Sequence, residues 1–123
     1  MNWSAIAAIL MALAVGLGAF GAHGLRGRLT AEMLDTYKTA VLYHFLHALG
    51  MLIVSVLPKT GAVSEPGAET VCWLLMAGIL VFSGSLYLLA VTGMSALGAI
   101  TPIGGLAFIA AWMWLAWKLV RRQ

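Results

Sequence analysis

Three long stretches of this chain, residues 1–25, 39–58 and 70–117, contain no Asp, Glu, Lys or Arg. Crossing the ~30 Å hydrocarbon core of a bilayer takes about 20 predominantly apolar residues at ~1.5 Å of rise each. The first two stretches therefore supply one crossing each. The third is too long for one crossing and suits two, with the turn where Thr92-Gly93-Met94-Ser95 interrupts the apolar pattern. The charge gaps predict an all-α integral membrane protein. A single transmembrane domain covers residues 1–123, with spans at about 3–22, 39–57, 71–91 and 97–118. Short connections pair the spans as two hairpins in an antiparallel bundle.

Composition supports the same reading. The chain is 63% hydrophobic and only 9% charged, against ~25% charged residues in ordinary soluble domains, and its mean hydropathy is +1.00. It has too few charges to cover a water-facing surface, which excludes a soluble enzyme and a disordered regulator. A lone Cys72 excludes a disulfide-stapled secreted domain. The net charge is +3, but the basic residues are scattered through loops and the C-terminal end rather than aligned on one face. The expected partner is therefore the lipid bilayer, with no nucleic acid. The run Gly18-Ala19-Phe20-Gly21-Ala22 has the small residues of a signal-peptide cleavage site, yet no Lys or Arg precedes it, so the first span is expected to be retained.

Local signals refine the ends of the spans. Thr30 is placed to cap a helix beginning near Ala31, with Glu32 and Asp35 in its first turns where the helix dipole favours acids. The Gly- and Pro-containing stretch 58–67 reads as an aqueous loop between the hairpins. Trp3, Trp73, Trp112, Trp114 and Trp117 fall in the half of the membrane nearer the termini, and Tyr37, Tyr43 and Tyr87 in the other, as interfacial belts do. Lys59, Lys118, Arg121 and Arg122 on the terminal side outnumber Arg26, Arg28 and Lys38, which favours cytoplasmic termini. In span four, Thr101-Pro102-Ile103-Gly104-Gly105 predicts a kink or break near Pro102, because proline removes a backbone donor. The adjoining glycines allow close helix packing.

Gly16-Leu17-Gly18-Ala19-Phe20-Gly21 matches GxGxxG literally, but a nucleotide fingerprint follows a strand and opens a helix, whereas this one closes an apolar helix. Helix packing is the better reading. Ala8, Ala12 and Gly16, and likewise Ala14, Gly18 and Ala22, recur every fourth residue. Gly21 and Gly84 are assigned to packing on the same grounds.

The second span is the most informative. At ~100° per residue, Ala40, His44, His47, Ala48, Met51 and Ser55 share one face, and Leu42, Leu46, Leu49, Ile53 and Leu57 the opposite one. The large apolar face belongs against lipid, so the histidines face protein. Counted from Lys38, His44 lies about 9 Å and His47 about 13 Å along the helix. His23, at the end of span one, is on the same side of the membrane. Three histidines in the Tyr-rich half suit metal ligation, a proton relay, a hydrogen-bonding site for a quinone-like head group, or plain interhelical bonding. For metal, His44 and His47 at i, i+3 with Met51 one turn on would suit a soft ion such as copper(I). For haem, two ligands on one helix face cannot occupy opposite axial positions, so His23 or a second subunit would have to contribute.

The four acids lie outside the spans, which removes a proton-coupled transporter that needs an intramembrane carboxylate. Phe82-Ser83-Gly84-Ser85-Leu86-Tyr87 places hydroxyls beside a glycine, but no acid sits at matching depth to complete a nucleophilic site. Cys72 is expected to act as a small buried apolar residue.

Taken together, Gly18-Ala19-Phe20-Gly21-Ala22-His23-Gly24, Thr39-Ala40 with Tyr43-His44-Phe45-Leu46-His47-Ala48, Phe82-Ser83-Gly84-Ser85-Leu86-Tyr87 and Thr101-Pro102-Ile103-Gly104-Gly105 resemble the domain of unknown function 423 family. That family consists of small four-span membrane proteins and is similar to the mitochondrial transmembrane protein 256 group. The resemblance runs through all four spans. It implies a bacterial inner-membrane, multi-pass protein without an assigned reaction, and marks His23, Tyr43, His47, Ser85, Tyr87, Pro102, Gly104 and Gly105 as motif positions.

The expectation is a small membrane protein, not an enzyme, whose polar interior is structural or a small-ligand site formed by His23, His44, His47, Tyr43, Ser85 and Tyr87. A metal- or haem-binding protein using the three histidines, with Met51 as a further metal ligand, is one alternative. An assembly or scaffold subunit of a larger membrane complex is the other. Self-association is expected from the small size, and the cofactor, if any, is left open.

Overall fold

The computed structural model describes residues 1–121. Its elements are α-helices α1 (Trp3–His23), α2 (Ala31–Val56), α3 (Glu65–Gly78), α4 (Gly84–Thr92) and α5 (Thr101–Arg121). A π-helical turn, Ile79–Ser83, joins α3 to α4 in one continuous span, and 3-10 turns cover Leu57–Thr60 and Ser95–Ala99. Four helical segments, Trp3–His23, Ala31–Thr60, Glu65–Thr92 and Ser95–Arg121, are long and apolar enough to cross a membrane. All the regular structure among the described residues is helical. Arg122, counted above on the terminal side, lies outside the described residues.

The ends follow from side-chain caps. Asn2 accepts from the Ala5 amide at 3.1 Å and Thr30 from the Met33 amide at 3.1 Å, fixing the starts of α1 and α2. The second helix thus begins at Ala31, before the charge-free stretch. Ser64 caps α3, which begins at Glu65 rather than near residue 71. Pro66 and Gly67, read from the sequence as loop, lie in its first turn, where a missing amide hydrogen costs nothing. Cys72 consequently sits two turns into the helix. Gly93, at φ 71°, ends α4 in the left-handed conformation, its amide donating to Leu89 O at 2.9 Å. In the fourth segment the α-helix starts only at Thr101, with Pro102 next to it, after the separate 3-10 turn.

Contacts between helices give the layout. Ser4 near the start of α1 meets Ser55 near the end of α2, while Tyr37 near the start of α2 bonds Leu17 near the end of α1. Gly78 faces Phe108 and Ser85 meets Thr101, so α5 runs back along the third span. The main core is drawn from Trp3, Ala7, Ala48, Met51, Val54, Val71, Cys72, Leu75, Phe108, Ala111 and neighbours, and a smaller cluster of Leu25, Tyr37 and Ala90 lies on the tyrosine side. Leu42, Leu46, Leu49 and Ile53 are exposed, as a lipid-facing stripe must be.

Glycine does the close packing, but not at every position read from the sequence. On α1 the buried face is Trp3, Ala7, Ala14 and Gly21. A Cβ on Gly21 would stand 2.3 Å from the Tyr37 ring, whereas one on Gly18 would stand 3.3 Å from Val41 and one on Gly16 would meet nothing within 4 Å. Gly18 is thus close-packed on α2, though less tightly than Gly21, whereas Gly84 and Gly105 are not tight: added Cβ atoms there would find their nearest neighbours at 4.0 and 3.7 Å. Gly50 and Gly78 take that role, lying beneath the rings of Trp112 and Phe108. The closest approach is at Gly104, where a Cβ would stand 2.2 Å from the Phe82 backbone nitrogen. The π-helical turn brings the backbone of the third span to α5 at the residue that lacks a side chain.

Candidate functional site

The polar residues on the tyrosine side come from α2, α4 and α5. His44 and His47, three positions apart on α2, lie ~60° apart around its axis. That separation sends the two rings to different neighbours. The His44 ring is 3% exposed and its Nδ1 lies 2.9 Å from the Tyr87 hydroxyl on α4. Tyr87 packs edge-on against Tyr37, ring centroids 5.3 Å apart, and Tyr37 in turn donates to the Leu17 carbonyl of α1 at 2.5 Å. His44 thus begins a polar and aromatic chain that ends on the backbone of α1.

His47 turns toward α5. Its ring stacks on Phe108 with centroids 3.6 Å apart and planes 16° from parallel, and Trp112 lies beside it at 5.8 Å. Its Nδ1 is 2.8 Å from the Tyr43 carbonyl one turn earlier on α2, and a carbonyl only accepts, so Nδ1 carries the proton. Tyr43 is 38% exposed, and its ring packs on Phe82 at 4.6 Å. Phe108 and Phe82 thereby form the wall of the site. Neither was picked out as a site residue from the sequence, because an aromatic residue in an apolar helix carries no mark of which ring it will meet.

The Ser85 and Thr101 hydroxyls lie 2.6 Å apart across α4 and α5, with the Phe82 carbonyl 2.9 Å from Ser85 and the Leu97 carbonyl 3.3 Å from Thr101, so one hydroxyl donates to the other and the second donates to its own carbonyl. One buried hydroxyl near these bonds has no partner, that of Ser83, a residue of the π-helical turn that is 0% exposed, while the His44 ring also faces the Leu10 backbone of α1.

The structure does not gather the three histidines. His23 is exposed at the end of α1, His44 is engaged with Tyr87, and His47 lies flat on Phe108. Met51 is fully buried in the apolar core, where its backbone oxygen faces the Cys72 thiol at 4.0 Å. Among the described residues no group of three or more His, Cys, Asp or Glu side chains is arranged to hold a metal ion.

A family described as "Protein of unknown function (DUF423)" matches residues 17–105 of this chain, which contain the four motif blocks quoted above. Two similar proteins are the UPF0382 membrane protein YwdK of Bacillus subtilis, 50% identical over 120 residues and covering 94% of each chain, and the UPF0382 membrane protein SH2409 of Staphylococcus haemolyticus, 46% identical over 110 residues, covering 89% of this chain and 88% of that one. A third, SSP2132 of Staphylococcus saprophyticus, is 47% identical over 103 residues, covering 84% of this chain and 83% of its own. No solved structure matches.

Proposed function

Because the chain belongs to the DUF423 family of proteins of unknown function, we propose a role that follows from its fold: a multi-pass protein of the bacterial inner membrane, both termini cytoplasmic, whose buried polar residues clamp its helices in one arrangement. One observation carries this reading. The hydroxyl and imidazole groups form a series of interhelical bonds, from Ser4–Ser55 and Tyr37–Leu17 between α1 and α2, through His44–Tyr87 between α2 and α4, to Ser85–Thr101 between α4 and α5. In hydrocarbon, where apolar burial does not drive helices together, such bonds and small-residue packing supply the specificity. On this reading the protein acts as a rigid non-enzymatic body, by itself, as an oligomer, or within a larger membrane complex. Crosslinked pull-down from native membranes separates those forms.

Tyr87→Phe is the direct test. Removing the hydroxyl deletes one interhelical bond and is expected to cost about 0.6–1.7 kcal/mol of unfolding free energy in mixed micelles, the range for such bonds in membranes. His47→Gln should cost about 1 kcal/mol, because the amide can still bond the Tyr43 carbonyl while the stacking on Phe108 is lost. Elemental analysis and visible absorption of the purified protein give the opposing result. Stoichiometric copper, zinc or haem iron that disappears in His47→Ala would overturn the clamping role.

A second reading, a site for a water-sized polar ligand, is favoured by the unpartnered Ser83 hydroxyl. An unsatisfied buried hydroxyl costs about 1–3 kcal/mol. If the hydroxyl has no bound partner, Ser83→Ala is expected to leave stability unchanged or raise it by up to about 1 kcal/mol. A loss of stability in Ser83→Ala would instead mean that the hydroxyl holds a bound partner, and would favour the ligand reading.

A further inference from the structure

At the end of the bundle opposite the tyrosines, the start of α1, the end of α2 and the first turns of α3 border a half-open cavity of about 380 Å³. Binding cavities for small molecules start at ~300 Å³, so this one admits a compact polar group rather than a large ligand. Asn2 and Ser55 line it, with Lys59, Glu65, Glu69 and Trp3. Trp3 is 8% exposed, and its indole N–H has no hydrogen-bond partner. The charges are of both signs in one small space. Lys59 and the positive end of the α1 dipole favour an anion, while Glu65 and Glu69 favour a cation.

Neither a simple anion nor a simple amine satisfies this lining. An anion would meet two glutamates, and a lone amine would meet Lys59 and the positive end of α1. A zwitterion with phosphate at one end and ammonium at the other satisfies both. The ammonium should be primary, because carboxylates accept N–H hydrogen bonds that a quaternary nitrogen cannot give. The cavity lies where the charge-free helices end, beside the edge-packed pair Trp3 and Trp73, at the depth of lipid head groups. We infer that this cavity binds the head group of a zwitterionic amino-phospholipid, its phosphate toward Lys59 and the start of α1 and its ammonium toward Glu65 and Glu69.

The test is native mass spectrometry of the full chain, delipidated in mild detergent and mixed with equal amounts of phosphatidylethanolamine, phosphatidylglycerol and phosphatidylcholine. Phosphatidylethanolamine adducts are expected to exceed both others severalfold. Lys59→Gln and Glu69→Gln should each reduce that preference about threefold to fivefold, as loss of an exposed charge contact does, while Lys38→Gln at the other end leaves it unchanged. All three residues are exposed, so folding is retained, and an unaltered thermal transition checks this for each variant. Equal binding of the three lipids, or a preference that survives when Lys59→Gln and Glu69→Gln are combined, would overturn the assignment. Free phosphoethanolamine that displaces the lipid at equal affinity would overturn the lipid as the source of the zwitterion.

Discussion

A methyl group added at Gly104 is expected to disrupt the seating of α5 on the third span, whereas the same change at Gly105 is expected to be tolerated. At Gly104 the new atom would stand 2.2 Å from the Phe82 backbone nitrogen and 2.7 Å from its Cα. A flexible side chain could swing away, but backbone cannot, so the helices must separate. Overpacking a core typically costs about 1–3 kcal/mol. A backbone clash belongs at the top of that range, and Gly104→Ala should lower the unfolding free energy by about 3 kcal/mol. At Gly105 the nearest neighbour would be a Phe82 ring carbon at 3.7 Å, an ordinary contact. There the change should be neutral or gain up to about 1 kcal/mol from the better helix propensity of alanine. Unfolding by dodecyl sulfate in mixed micelles measures both. Equal stability of the two variants would show that α5 is not held at this distance.

Phe108→Ala is expected to be nearly as damaging. The ring covers Gly78, stacks on His47 at 3.6 Å and meets Phe82 at 5.5 Å and Tyr43 at 6.3 Å, so one side chain joins α2, α3, the π-helical turn and α5. Truncating a buried phenylalanine costs about 3–5 kcal/mol in soluble cores. Lipid is as apolar as the core, so the transfer part of that cost shrinks while the lost packing remains. About 3 kcal/mol is therefore expected by the same micellar unfolding. The change also uncovers the His47 ring, and its reaction with an imidazole-acylating reagent should accelerate. A loss below about 1 kcal/mol with unchanged reactivity would mean that Phe108 is not the wall of the site.

Much of this architecture was legible in the sequence because lipid imposes simple rules. Charges do not enter the hydrocarbon, so gaps between them gave four spans, and a Thr30 followed by acids located the start of α2. The wheel of α2 put Leu42, Leu46 and Ile53 outside and His44, His47 and Met51 inside, as the structure has them. Partnership was less legible. A shared helix face suggested that the histidines act together, but ~60° of rotation is enough to give one to Tyr87 and the other to Phe108. The same holds for the glycines. Gly16, Gly84 and Gly105 are indistinguishable from Gly21, Gly78 and Gly104 by composition, and only the ring or backbone opposite each one decides which of them is needed. The early start of α3 was obscured because its first turn carries Glu65, Pro66 and Gly67, which are typical of loops as well as of helix beginnings.

The π-helical turn Ile79–Ser83 divides the third span into two segments that are out of phase. Adding one residue to a turn shifts everything beyond it by ~100°, so Gly84–Thr92 is aligned to α2 and α5 by a different count from Glu65–Gly78. Substitutions in α4 act one at a time, since loss of Tyr87 removes a single bond. A change in length acts on all of α4 at once. Deleting one residue between Ile79 and Ser83 restores a uniform helix and swings Ser85 and Tyr87 together away from Thr101 and His44. For this span, the number of residues between the two segments sets the alignment of α4, which residue identity alone does not describe.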